Sequence, residues 1–148
     1  MVTIDQIKQL REETGISIAE CKKALEEAKG DLEQAKNILK KRGKDFATKK
    51  GEREAGEGII ASYIHQNKKI GVLIDLRCET DFVARSQEFQ NLAHELCLQI
   101  AAMDLQETSL PEQSWIKDQT KTIKELVEEY IIKTGENIII KKFERYQI

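Results

Sequence analysis

Two apolar runs, residues 59–66 and 70–78, alternate with the period of a β-strand and are separated only by Asn67-Lys68-Lys69. A connection that short joins antiparallel neighbours, because parallel strands need a crossover of a dozen or more residues. After Cys78 the period changes. Ser86 is placed to cap a helix whose apolar positions, Phe89, Leu92, Ala93, Leu96, Ile100 and Met103, recur at helical spacing. A loop with the only proline and the only tryptophan, Pro111 and Trp115, leads to a second helical stripe, Ile123, Leu126, Val127, Tyr130 and Ile131, which Gly135 stops. Residues 137–146 read as a last strand centred on Ile138-Ile139-Ile140. The order ββααβ over residues 58–148 implies an α+β core: a three-stranded antiparallel sheet with helices on one face.

Two helices can cover only one face of such a sheet. Val72 and Ile74 point one way and Leu73 the other, and Ile59, Ala61 and Tyr63 oppose Ile60 and Ile64 in the same manner. Apolar residues on the uncovered face need a lid, and no other segment reads as one. Self-association through that open face, as a homodimer, is the expectation.

Ahead of the core, residues 1–43 carry three short helical stripes. Ile4, Ile7 and Leu10 form the first, which ends at Thr14-Gly15. Ser17-x-x-Glu20 is a capping box for the second, with Ile18, Cys21, Leu25 and Ala28 as its stripe and Gly30 as its stop. Asp31 caps the third, which carries Leu32, Ala35, Ile38 and Leu39 and is expected to stop at Gly43. None is long enough to be stable alone, so the three must share one small core as a three-helix bundle. Residues 44–57, with two glycines and dense charge, read as a solvated linker or loose helical arm.

Composition removes several functional classes. The 148 residues suit one domain, or a small module attached to a larger one, and a net charge of −2 gives no global footprint for nucleic acid. Residues 40–53 hold seven basic and two acidic side chains, a run that is more often a solvated face than an RNA contact, so no direct nucleic-acid partner is expected. No apolar run approaches the roughly 20 residues that span a bilayer, and the N-terminus lacks the basic and hydrophobic regions of an export signal. A cytoplasm, or an organelle with its own translation, is the expected compartment. Cys21, Cys78 and Cys97 are odd in number with no Cys-x-x-Cys pair, which suits buried thiols in a reducing compartment and no zinc site. There is no Gly-rich phosphate loop, no Ser/His/Asp order and no His-Glu-x-x-His, so neither an enzyme nor a bound cofactor is expected. Of the two histidines, His94 falls on a helix flank, and His65 ends the first strand beside a turn, where it is free to meet another molecule.

The remaining feature is the segment Cys78-Glu79-Thr80-Asp81-Phe82-Val83-Ala84-Arg85. Phe82 stands at the junction of a strand and a helix, where an aromatic either completes a core or projects into a partner. Local sequence leaves both open. Thr80-Asp81-Phe82-Val83, preceded by Gly71-Val72-Leu73-Ile74 and Cys78-Glu79, resembles the signature of the elongation factor Ts family. Leu10-Arg11-Glu12, Thr14-Gly15, Cys21-Lys22-Lys23-Ala24-Leu25 and Gly30-Asp31 resemble that family's N-terminal ubiquitin-associated-like bundle. Gly135-Glu136-Asn137-Ile138 with Lys141-Lys142-Phe143 resembles its last core strand.

The resemblance spans nearly the whole chain and implies nucleotide exchange on elongation factor Tu, the GTPase that delivers aminoacyl-tRNA. It implies that the Thr80-Asp81-Phe82-Val83 motif meets the GTPase domain, with Asp81 and Phe82 at the contact and Phe82 wedged between two helices near the magnesium site. Arg11, Ile18, Ala19 and Lys22 match the bundle positions that dock a separate helix of that domain. His65 matches a histidine of the family's second core half, and Thr134 and Gly135 fall in the remaining contact turn. Long members carry two core halves and a coiled coil. Here there is one half, and Met103 leads by a short loop to Trp115 where compact members place a helical insertion. In compact members a second chain replaces the missing half, so His65 would be supplied by the other protomer. Two other readings stay open: a binding module that holds its partner through the bundle without exchanging nucleotide, and a translation accessory that contacts RNA through residues 40–53.

Overall fold

Thr3, Ser17 and Asp31 each accept a hydrogen bond from an amide in the turn that follows, and a helix starts after each: α1 (Ile4–Thr14), α2 (Ile18–Glu27) and α3 (Leu32–Lys50). The computed structural model describes residues 1–103 and 109–148. Leu10, Cys21, Ala24, Leu25, Ala28, Ala35 and Leu39 are buried together between the three helices. Ile4 and Ile18, expected to join them, are exposed. Each is the first residue of its helix, at the rim of the small core.

The third helix does not stop at Gly43. It runs seven residues further, so a boundary drawn after residue 43 falls in mid-helix and the first half of the expected linker is helical. The reason is tertiary. Gly43 is buried where α3 crosses a later helix, α6 (Ile123–Thr134), and a methyl group at position 43 would overlap Ile132 Cδ1. Beyond it, Phe46 and Ala47 pack against the second core. Burying a phenylalanine contributes up to about 1.5–3 kcal/mol, against roughly 1 kcal/mol for a glycine inside a helix, so packing wins. Lys40 Nζ and a Glu125 carboxylate oxygen, 2.6 Å apart, add an ion pair across the same junction. The ammonium holds the Glu125 carboxyl below its usual range.

The second core is built on β1 (Glu57–Ile64), β2 (Ile70–Cys78) and β5 (Ile139–Gln147), an antiparallel sheet in the order β1-β2-β5. A single helical turn, α4 (Asp81–Ala84), and the long α5 (Gln87–Ala102) follow β2. Where an irregular loop was expected there is a 3-10 turn, Leu110–Glu112, and a small hairpin of β3 (Ser114–Trp115) and β4 (Asp118–Thr122) ahead of α6. The buried Gln99 holds that hairpin, donating to Ser114 O and accepting from the Ile116 amide.

Strand register assigns the two faces. Opposed across the sheet on one side are Ile59, Leu76 and Ile140, then Ala61, Ile74 and Phe143, then Tyr63, Val72 and Arg145. Phe89, Leu92, Leu96 and Ile100 of α5 complete the core against this face, while α6 packs beside α5 and against α3. Arg145 reaches from β5 to donate to Ile100 O and Ala101 O, satisfying carbonyls at the C-terminal end of α5. On the other side stand Ile64, Gly71 and Tyr146, then Ser62, Leu73 and Glu144, then Ile60, Asp75 and Lys142. Among the described residues no element covers this outer face. Ile60 is 64% exposed and Tyr146 70%. The three cysteines are buried and unpaired, and burial pushes the Cys78 and Cys97 thiols up to about 11.

Candidate functional site

At the exit of β2 the backbone is held before it turns. Cys78 Sγ donates to Thr80 O, and Thr80 Oγ1 accepts from the Val83 amide as the N-cap of α4. Successive side chains on a helical turn diverge by about 100°, so Phe82 and Val83 leave in different directions. Phe82 is 86% exposed. Val83 is only 7% exposed and packs in the chain's own core, so its side chain is unavailable to a partner, contrary to the expectation for the whole motif. Asp81 is exposed and paired with Arg85 at 2.8 Å.

A second turn lies against the first. The helix α6 ends at Gly135 in the left-handed conformation. Half-buried Thr134 turns its hydroxyl back on its own helix, donating to Tyr130 O and accepting from the Glu136 amide. Glu136 then reaches across: its carboxylate accepts from the Glu79 amide at 3.1 Å, the Thr80 amide at 2.9 Å and Thr80 Oγ1 at 2.6 Å. In return the Glu79 carboxylate accepts from the Asn137 amide at 2.9 Å and pairs with Arg53, whose carbonyl accepts from Asn137 Nδ2. Two crossed carboxylates thus join the turn bearing Phe82 to the turn bearing Thr134 and Gly135.

On the bundle, Arg11, Ile18, Ala19 and Lys22 are all exposed. Lys133 lies over the bare face of Gly15, so the α1–α2 connection abuts the end of α6 just before Thr134. His65 stands apart. It is exposed beside the β1–β2 turn, bonded to Tyr63 OH at 2.9 Å. The length of β2, roughly 25 Å at strand rise, separates it from Phe82 within one chain. The basic run of residues 40–53 is partly neutralised internally: Lys40 pairs with Glu125, Arg42 with Glu20 and Glu27, and Arg53 with Glu79. Among the described residues no cluster of His, Cys, Asp and Glu could hold a metal ion, and no helix is long and apolar enough to cross a membrane.

A family model described as Elongation factor TS matches residues 79–148, the half that contains both turns. Curated proteins named Elongation factor Ts match along nearly the full length. That of Thermotoga maritima is 41% identical, with 99% of this chain and 96% of the relative covered. That of Thermosipho melanesiensis is 38% identical, covering 100% of this chain and 99% of the relative. That of Thermoanaerobacter pseudethanolicus is 37% identical, covering 99% and 95%. The chain belongs to the elongation factor Ts family.

Within that family it is a shortened member. The Thermotoga maritima alignment extends over 191 positions, of which a chain of 148 residues can fill at most 148, so at least 43 positions have no counterpart here. The connection in which the family's extra helical segment was expected, between Met103 and Trp115, runs partly through residues 104–108, outside the described residues. The sequence points to the aromatic at residue 82, which is exposed, but not to the groups that hold it. Glu79 and Glu136 meet across 57 residues, and no local pattern pairs them. The signals available were their places in the Cys78-Glu79 and Gly135-Glu136-Asn137 motifs, each on a turn next to a regular element.

Proposed function

We propose that this chain is a guanine nucleotide exchange factor for elongation factor Tu, acting through Phe82. The observation that carries this is a phenylalanine 86% exposed on a junction held from both sides by hydrogen bonds. An exposed aromatic is an anchor in waiting, since burial of such a ring in a partner is a common source of binding energy. Thr80, Asp81, Thr134 and Gly135 flank it, and Arg11, Ile18, Ala19 and Lys22 supply the second contact on the bundle.

Such a factor does no chemistry. It binds the nucleotide-free GTPase better than the loaded one, and by linkage the factor by which it weakens nucleotide equals the factor by which nucleotide weakens it. Each tenfold requires about 1.4 kcal/mol of differential binding. A buried phenylalanine supplies roughly 1.5–3 kcal/mol, one or two decades, so the bundle contact is needed as well. As the wedge separates helices near the magnesium site, the metal and phosphate contacts loosen and GDP leaves. The test is release of labelled GDP from elongation factor Tu. Substoichiometric amounts of this chain should accelerate it, whereas a stable complex with an unchanged GDP off-rate would leave only a binding module. On this reading the protein works where ribosomes do, in a bacterial cytoplasm or a translating organelle, and the ion pairing of Lys40, Arg42 and Arg53 within the chain, three of the seven basic residues of the run, weighs against an RNA role.

The same proposal includes a homodimer through the outer sheet face. Ile60, Ile64, Leu73 and Tyr146 are exposed there around an Asp75–Arg77 pair, in which the guanidinium holds the nearly buried Asp75 carboxyl below its usual range. Pairing of two chains would cover that face and carry His65 of one protomer toward the other. Sedimentation at micromolar concentration should give twice the 17.0 kDa chain mass. Leu73→Glu, which places a charge among these apolar groups, should return the single-chain mass. A wild-type monomer, or an undiminished mass in the variant, rules the dimer out.

A further inference from the structure

The turn that carries Phe82 is four residues long, too short to hold a helical conformation unaided. Strand pairing does not hold it either, because the β1–β2 ladder ends with Glu57 opposite Cys78. The two amides that follow, of Glu79 and Thr80, converge on one oxygen of Glu136. The other oxygen takes the Thr80 hydroxyl proton at 2.6 Å. With its proton directed there, Thr80 Oγ1 presents a lone pair to the Val83 amide, which is the cap that starts α4. One carboxylate thereby fixes both the backbone exit from β2 and the direction of the cap.

We propose that Glu136 is a positioning residue for nucleotide exchange, holding the Thr80–Ala84 turn so that Phe82 is already aimed when the partner arrives. This rests on the exchange reading and adds to it a residue that need not touch the partner. A side chain ordered before binding loses less freedom on binding, so a loosened turn should weaken the wedge without removing it.

The experiment is a double-mutant cycle on GDP release from elongation factor Tu, using the full chain as wild type, Phe82→Ala, Glu136→Ala and the double variant. Glu136→Ala should slow exchange about threefold to tenfold, and should add no more than about twofold in the Phe82→Ala background, since its effect passes through that ring. Glu136→Gln keeps an oxygen for the two amides and should lose less than Glu136→Ala. If Glu136→Ala melts below the assay temperature, the cycle is run on Glu136→Gln, whose smaller loss should again vanish with Phe82→Ala. An equal loss in both backgrounds would mean general structural damage and overturn the proposal. So would full activity of Glu136→Ala when Phe82→Ala is impaired. Unchanged exchange by Phe82→Ala alone would instead overturn the wedge, and the positioning role with it.

Discussion

Replacing Phe82 by alanine is expected to lower the acceleration of GDP release from elongation factor Tu by about tenfold to a hundredfold, with the fold intact. The magnitude follows from burying the ring in the partner, roughly 1.5–3 kcal/mol, at about 1.4 kcal/mol per decade. It applies in full only if the ring is buried in the nucleotide-free complex and not in the loaded one, which is the condition for exchange. The expectation of an intact fold follows from this chain's own geometry. The ring is 86% exposed, and the hydrogen bonds that set the turn come from Thr80, Glu136 and the backbone. Surface changes of this kind usually stay within about 0.5 kcal/mol in stability. Stopped-flow release of a fluorescent GDP, with melting followed in parallel, separates the two quantities. An unchanged release rate would remove Phe82 from the mechanism. A large fall in melting temperature would mean that the ring supports its own chain after all.

Much of the fold was legible because its signals are local and periodic. The caps at Ser17, Asp31 and Ser86 start the helices expected of them, and residues 70–78 form the strand that their alternation implies. The uncovered outer face also follows from alternation and element count. What escaped the sequence depends on groups far apart along it. Gly43 follows an apolar stripe as a helix stop does, yet it is a contact surface for Ile132, 89 residues away. The β3–β4 hairpin has no alternating apolar pattern and is held by Gln99 from α5. Motif membership said that residues 80–83 belong together but not which way each points. Val83 is buried in the chain's own core, whereas Asp81 and Phe82 on the same turn are exposed.

Gly58→Ala is expected to destabilise the chain by about 3 kcal/mol or more, lowering its melting temperature by roughly 6–12 °C at about 2–4 °C per kcal/mol for a domain of this size. Gly58, the second residue of β1, lies opposite Arg77 with φ +156°, and a methyl group there would run into the Leu76 carbonyl oxygen and lie 2.8 Å from Arg77 Cα. Those atoms are strand backbone, so relief requires breaking the pairing of β1 with β2. Gly43→Ala is the control. Its methyl group would meet the Ile132 side chain at Cδ1 and Cγ1 and no backbone atom, so a rotamer change can relieve it, and alanine returns about 1 kcal/mol of helix propensity. The two substitutions add the same group yet should differ by several degrees, readable by circular dichroism during heating. The damaged pairing lies just before Glu79 and Thr80, so Gly58→Ala should also slow exchange well below its melting temperature. If Gly58→Ala melts within about 2 °C of wild type, the close approach of β1 to β2 is not what that glycine is for.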